Sequence, residues 1–430
     1  MSGSFDQRRR RSSSQARDVH AVVKACLRRA LAVGALALVG CGTSSPAGSD
    51  GGADAASAAD APDAFVPTSA TLTTLQTITI ASGMGHLAFP DLTRLPDGRI
   101  LLVYRRGASH VDPTGRIMKQ FGSPDATTWT APEVLYDAPS IDDRDPSVTT
   151  LANGDVMVNY FQYVTQQAMG TTLATHHVFV GRSTDGGKTF GAFTQVDQGT
   201  MTPQGPTLNG AGIWVDANAQ PLLVGASSSA IVEIGGRMVL PVYGGNPLNL
   251  TNLAATPKSR VSLYTSMDGV AWTENPVLAS DAPDSWLQEP AVLPLASGKT
   301  LMQMRTATGT SPGNAGKLMQ STSGDGAKAW SAPSSFPFVG HAPELAQMKS
   351  SLLLSGYREL DDALTHEWTS LSWSLDEGLN WSAPIRVRDC GAVECGYPAI
   401  LELEDGKFLY AYYAPGGTAI VGVIMQATLE

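Results

Sequence analysis

The chain has 430 residues, 43% hydrophobic and 16% charged, with 44 Gly and 27 Pro. A large core is available, while so few charges beside so many turn formers exclude a helical bundle, a coiled coil or a mostly disordered chain. The net charge of −10 is uneven: residues 1–41 carry 8 Lys/Arg and 2 Asp/Glu, leaving 21 against 37, or −16, for the remainder. A body that acidic argues against general binding of nucleic acid or anionic membrane, and an anionic ligand would need a local arginine cluster.

Taken in chain order, the N-terminus reads as a targeting segment. Arg8 to Arg11, Arg28 and Arg29 precede the apolar run ALAVGALALVG at 30–40, too short to span a bilayer but suited to a signal-peptide core. The run ends in Leu38-Val39-Gly40-Cys41, which resembles a bacterial lipobox. That resemblance implies lipidation of Cys41, with an ordinary secretory signal as the alternative. Residues 1–41 are thus expected to be a lipoprotein signal. Residues 42–70, rich in Ala, Gly, Ser and Asp, are expected to be a disordered tether, because they bury too little apolar surface to offset ordering. Gly42 is compatible with outer-membrane sorting in a Gram-negative cell, so the expected location is the cell envelope, reached through the lipid anchor only. The body, 71–430, holds Cys390 and Cys395, a close pair expected to form a disulfide outside the cytoplasm.

From about residue 72 the chain repeats. One element is a Ser-x-Asp turn closed by an aromatic residue: SPDATTW from Ser123, STDGGKTF from Ser183, SMDGVAW from Ser266, SGDGAKAW from Ser323 and SLDEGLNW from Ser374. The other is a strand opened by Pro, then a Gly-type turn and a second strand. It begins at Phe89, Asp145, Glu289, Ala342 and Tyr397, with a Pro-less copy read from Ala230. Six hairpins and five turns at about 60 residues per unit predict an all-β, six-bladed β-propeller.

The five Ser-x-Asp turns resemble the Asp-boxes of the sialidase (neuraminidase) superfamily over nearly all of 72–430. These boxes lie away from the active site in that family, so they identify a fold and not an activity. Register carries the site argument, because equivalent positions of successive blades converge on one axis. Phe89, Asp145, Glu289, Ala342 and Tyr397 precede the recurring Pro, and fifteen residues after it stand Arg105, Phe161, Arg305, Arg358 and Tyr413.

The resemblance implies a Tyr nucleophile at Tyr397, Glu289 as its base and Asp112 as acid/base. It also implies an arginine clamp that includes Arg305 and Arg358, and register adds Arg105 to them. The family's first arginine slot is Ala88 here, for which Arg106 or Arg144 could substitute. Asp145, His110 and His341 are further candidates for the pocket wall. A Tyr nucleophile suits a sugar bearing a carboxylate at its anomeric carbon, since a carboxylate nucleophile would meet like-charge repulsion. No HExxH or other dense metal motif, phosphate loop or Gly-x-Ser-x-Gly elbow is present, so neither metal nor cofactor is expected. The expected protein is a monomeric retaining exo-glycosidase acting on a glycan with a terminal sialic acid or related acidic sugar. The alternative is a non-catalytic, cell-surface carbohydrate-binding propeller.

Overall fold

The computed structural model describes residues 67–430 except 169–170, 197–206, 209–213, 216–224, 246–258, 280–284, 309–314 and 405. The expected leader, Cys41 and the tether as far as residue 66 lie outside the described residues. The described chain is all-β apart from one short 3-10 turn, Pro415–Gly417. No helix among the described residues is long and apolar enough to cross a membrane.

Strand β1 (Ala70–Ser82) comes first in the chain but pairs last, as seen below. The first antiparallel sheet runs β2 (His86–Arg94), β3 (Ile100–Gly107), β4 (Arg116–Gly122), β5 (Glu133–Tyr136). The second runs β6 (Asp142–Thr150), β7 (Val156–Ala168), β8 (Thr171–Ser183), β9 (Thr194–Gln195). A two-stranded pair, β10 (Thr207–Leu208) and β11 (Trp214–Val215), precedes the third sheet. That sheet is β12 (Val232–Ile234), β13 (Arg237–Gly245), β14 (Ser259–Ser266), β15 (Thr273–Ala279).

Seven strands then share a sheet: β16 (Ser285–Pro294), β17 (Thr300–Thr308), β18 (Lys317–Ser323), β19 (Ser334–Gln347), β20 (Leu353–Leu360), β21 (Glu367–Ser374) and β22 (Ile385–Gly391). Its joint is β19, whose start pairs with β18 from Ser334 to Val339 and whose remainder pairs with β20 from Val339 to Gln347. The last sheet is β23 (Gly396–Glu402), β24 (Lys407–Tyr413), β25 (Ala419–Leu429) and β1, which pairs from Ala70↔Leu429 to Ser82↔Ala419. The expected pairing of the first strand with the C-terminal strand is therefore present.

Apolar faces pack sheet against sheet in succession. Leu101 and Val103 of the first sheet meet Val148 and Val158 of the second. Met157 and Val178 then meet Leu240 and Tyr264, and Val239 and Leu263 meet Val292 and Met302. Ala291 and Leu301 pack on Leu345 and Leu353, and Leu354 and Leu371 on Ile400 and Tyr410. Leu409 and Ile424 of the last sheet pack on Leu87 and Leu102 of the first. Each fully buried Val, Leu, Ile or Met among these contributes roughly 1.5–3 kcal/mol.

Four of the five Ser-x-Asp turns link the third strand of a sheet to its fourth, and the one from Ser374 links the sixth strand of the seven-stranded sheet, β21, to its seventh, β22. The serine hydroxyl donates to the aspartate at 2.5–3.0 Å in each, and backbone amides cap the carboxylate. The last sheet needs no such turn, because its third and fourth strands, β25 and β1, are the two ends of the described chain. That is why six hairpins come with five turns.

Candidate active site

The inner strands share one irregularity. Phe89, Asp145, Glu289, Ala342 and Tyr397, each just before its Pro, adopt φ of 57°, 43°, 50°, 46° and 47°. A register break falls at the same place in every one of these strands. A left-handed residue before proline is disfavoured twice over, by its own Cβ and by the proline ring. Repeated in five strands, it is a bulge that re-aims one side chain. Phe89, Asp145, Ala342 and Tyr397 border one small cavity of about 20 Å³, so the bulges converge.

The sixth copy corrects the sequence register. Ala226 pairs with Tyr243, as Ala88 pairs with Arg105 and Gln288 with Arg305. The bulge-equivalent residue is therefore Ser227, not Ala230, and Tyr243 stands where the other strands carry Arg105, Phe161, Arg305, Arg358 and Tyr413. The signal was the turn: Gly98, Gly154, Gly298 and Gly406 each follow the pre-proline residue by nine, and so does Gly236 follow Ser227.

At the centre, Tyr397 donates its hydroxyl to Glu289 Oε1 at 2.7 Å. Arg305 Nη1 donates to the same oxygen at 2.8 Å, and the Ala342 amide to Oε2 at 2.8 Å. Burial, then the adjacent Glu289 charge, pushes the Tyr397 phenol well up, while Arg305 and Arg358 oppose this. Arg358 stacks on the Tyr397 ring, its Cζ 5.1 Å from the centroid. Its Nε donates to the Cys395 carbonyl at 2.6 Å and Nη2 bonds the Tyr413 hydroxyl. Arg305, Arg358, His341, His110 and Tyr397 line one open cavity of about 330 Å³ together with Glu367 and Glu394. His341 is buried and held well below the usual imidazole range by burial and by the charges of Arg305 and Arg358, and its Nε2 has no hydrogen-bond partner among the described residues.

Other expected site residues are elsewhere. Arg105 is fully enclosed, giving Nε to Asp142 at 2.7 Å and Nη1 to the Ser109 carbonyl at 2.9 Å. It braces the 108–115 loop and does not join Arg305 and Arg358 on the cavity. Arg106 reaches the Met84 carbonyl at 3.3 Å, away from the cavity wall. Asp112 is half-buried: its carboxylate caps Thr114 in an Asx turn, which holds it below the usual range, and it does not line the cavity beside Tyr397. Asp145, by contrast, is buried beside Tyr397, and burial pushes its carboxyl up to about 7 against the pull of Arg144. Arg144 lies over the Phe89 ring at 5.1 Å and is shared among Asp142, Asp145 and His110.

Glu394 was not legible, because it belongs to no repeat. It lies between Cys390 and Cys395, which the structure joins in the expected disulfide. Its Oε1 accepts from His86 Nε2 at 2.9 Å and pairs with His110 Nδ1 at 2.8 Å. These three ligand atoms lie within 4.8 Å of one another, a cluster the sequence did not foreshadow. Its tautomers do not suit a metal: Arg144 Nη2, 3.2 Å away, can only donate to His110 Nε2, so Nδ1 carries the proton.

The family described as "BNR repeat-like domain" matches residues 98–410. The chain belongs to that family. No curated protein matches it in sequence. In structure, this BNR repeat-like chain is similar to a protein of unknown function from Dyadobacter fermentans (23% identity, TM-score 0.65, covering 83% of this chain and 99% of that one). It is also similar to the Hadza microbial sialidase Hz136 (14%, TM-score 0.57, 80% and 66%). A third likeness is to the α-L-arabinanase of Penicillium chrysogenum (13%, TM-score 0.59, 82% and 98%). At these identities the likeness is one of fold.

Proposed function

We propose that this chain is a retaining exo-glycosidase of sialidase-like type, acting on a terminal sialic acid or related acidic sugar. Its framework is a six-bladed propeller in which the seven-stranded sheet supplies two blades that share β19. The observation that carries the activity is the 2.7 Å bond from Tyr397 to Glu289 on a cavity that also holds Arg305 and Arg358. The two arginines take the sugar carboxylate by charge-assisted bonds and orient the ring. Tyr397 passes its proton to Glu289 as its oxygen attacks the anomeric carbon. The glycosidic bond breaks, and the leaving oxygen takes a proton from Asp145, the carboxyl that keeps one up to about pH 7. Water then displaces the tyrosine oxygen, giving its proton to Asp145, and Glu289 returns a proton to Tyr397.

A binding-only reading is favoured by one observation: with Ala88 in the first-arginine slot and Arg105 enclosed, two arginines rather than three line the cavity. Hydrolysis of fluorogenic glycosides of acidic and neutral sugars by the purified protein decides between them. Release of the fluorophore from an acidic sugar alone supports the glycosidase. Saturable binding without release by wild type supports the second reading. The protein acts as a monomer on the cell envelope, held by lipid at Cys41, and Cys41→Ser should move it from the membrane to the soluble fraction.

A further inference from the structure

Glu394 is fixed from three directions. The Cys390–Cys395 disulfide closes the loop that carries it, the Gly416 amide donates to its carbonyl at 2.9 Å, and two imidazoles meet at Oε1. His86 is buried, and since a carboxylate only accepts, its Nε2 carries the proton. His110 donates from Nδ1 because Arg144 occupies Nε2. Burial works against the charge, yet these two donors hold the Glu394 carboxyl well below the usual range. Its side chain remains 30% exposed, on the wall shared with Arg358, and among the described residues no hydrogen bond engages Oε2. A carboxylate fixed through one oxygen and kept ionised is an acceptor without a proton to give. An ammonium group is a poor occupant, because Arg305 and Arg358 line the same cavity.

We propose that Glu394 is a substrate-contact residue whose Oε2 accepts hydrogen bonds from ring or side-chain hydroxyls of a sugar acid, the carboxylate of that acid facing Arg305 and Arg358. His86 and His110 are positioning residues that aim it. The inference rests on the glycosidase reading of the cavity and narrows the ligand to a sugar acid with free hydroxyls opposite its carboxylate.

The test uses the full-length chain and its Glu394→Ala and Glu394→Gln variants, with thermal unfolding as a check on the fold. N-acetylneuraminic acid, 3-deoxy-manno-octulosonic acid and singly deoxygenated forms of whichever binds are titrated by calorimetry. Glu394→Ala should weaken the hydroxylated acid about 10- to 100-fold, the range for a hydrogen bond to a charged group, with Glu394→Gln in between. One deoxygenated form should be weak on wild type and weakened no further by Glu394→Ala. His110→Gln should raise KM on a cleaved glycoside while leaving kcat unchanged. Equal weakening of every hydroxylated and deoxygenated form would make Glu394 merely structural and overturn the inference, leaving the glycosidase reading intact. Stoichiometric Zn²⁺ binding that disappears in Glu394→Ala would overturn it in favour of a metal site. Failure of wild type to bind or cleave any sugar acid would remove the glycosidase reading, and this inference with it.

Discussion

The Ala342 amide donates to Glu289 Oε2 at 2.8 Å, and the two residues occupy the same bulge position on different inner strands. One left-handed backbone thus holds the carboxylate presented by another. Glu289 is oriented through Oε2 by main chain, which leaves Oε1 to Arg305 and Tyr397.

Ala342 has φ 46°, where an L-residue is strained and glycine is not. Ala342→Gly should keep the amide bond to Glu289 and change stability by less than about 1 kcal/mol, in the stabilising direction. Ala342→Val should cost about 1–3 kcal/mol, since a β-branched side chain tolerates this conformation least. Urea unfolding of the three proteins checks the order, and a more stable valine variant would contradict the strain argument.

Removing the Tyr397 hydroxyl should abolish covalent turnover without unfolding the chain, because the ring still packs on Phe89 at 4.8 Å between centroids. Tyr397→Phe should lower kcat at least about 10³-fold, as expected for loss of a nucleophile, with ligand affinity within about tenfold of wild type. Glu289→Gln should be nearly as inactive, and less stable, because Arg305 then loses the charge of Glu289. Normal turnover by Tyr397→Phe would remove the mechanism while leaving the pocket.

The acid role separates Asp145 from Asp112. Asp145→Asn should slow glycosides with poor leaving groups far more than activated aryl glycosides, whereas Asp112→Asn should slow neither by more than about twofold. The sign of the stability effect follows from the raised carboxyl. Between about pH 4 and 7 the folded protein keeps a proton on Asp145 that the unfolded chain has released, so stability falls as pH rises through that window. Asp91 and Asp143, also raised to about 7 chiefly by burial, act in the same direction. Asp145→Asn should therefore be more stable than wild type at pH 8, the gap closing towards pH 4. Chemical denaturation across that range measures it.

Strand β25 is hydrogen-bonded on both sides, to β24 and to β1. A chain ending at residue 418 would expose two strand edges and the apolar face of Leu409 and Ile80. It should be insoluble or lack a cooperative unfolding transition, and a soluble, cooperative truncation would contradict the pairing.

Much of the fold was legible because most repeats carry their own local chemistry: Ser-x-Asp for one turn, a Pro and a Gly eight residues later for the hairpin. The pairing of Glu289 with Tyr397, 108 positions apart, followed from register. What failed was of two kinds. Arg105 obeyed the register but was captured by Asp142, and a strand pattern does not tell which carboxylate a buried guanidinium will find. Asp112 and Glu394 sit in loops, where no periodicity fixes direction. Asp112 closed its own turn, while Glu394, between two cysteines, was turned into the cavity.

The repeated bulge separates two kinds of position along each inner strand. Residues that alternate into the faces between sheets are committed to packing, and changing them disturbs neighbouring sheets. The residue before the proline borders the convergence instead. Its chemistry already ranges over Phe, Asp, Glu, Ala and Tyr on one repeated left-handed backbone. Selection can therefore change what such a scaffold presents at its convergence through a few side chains, without redrawing the strands that carry them.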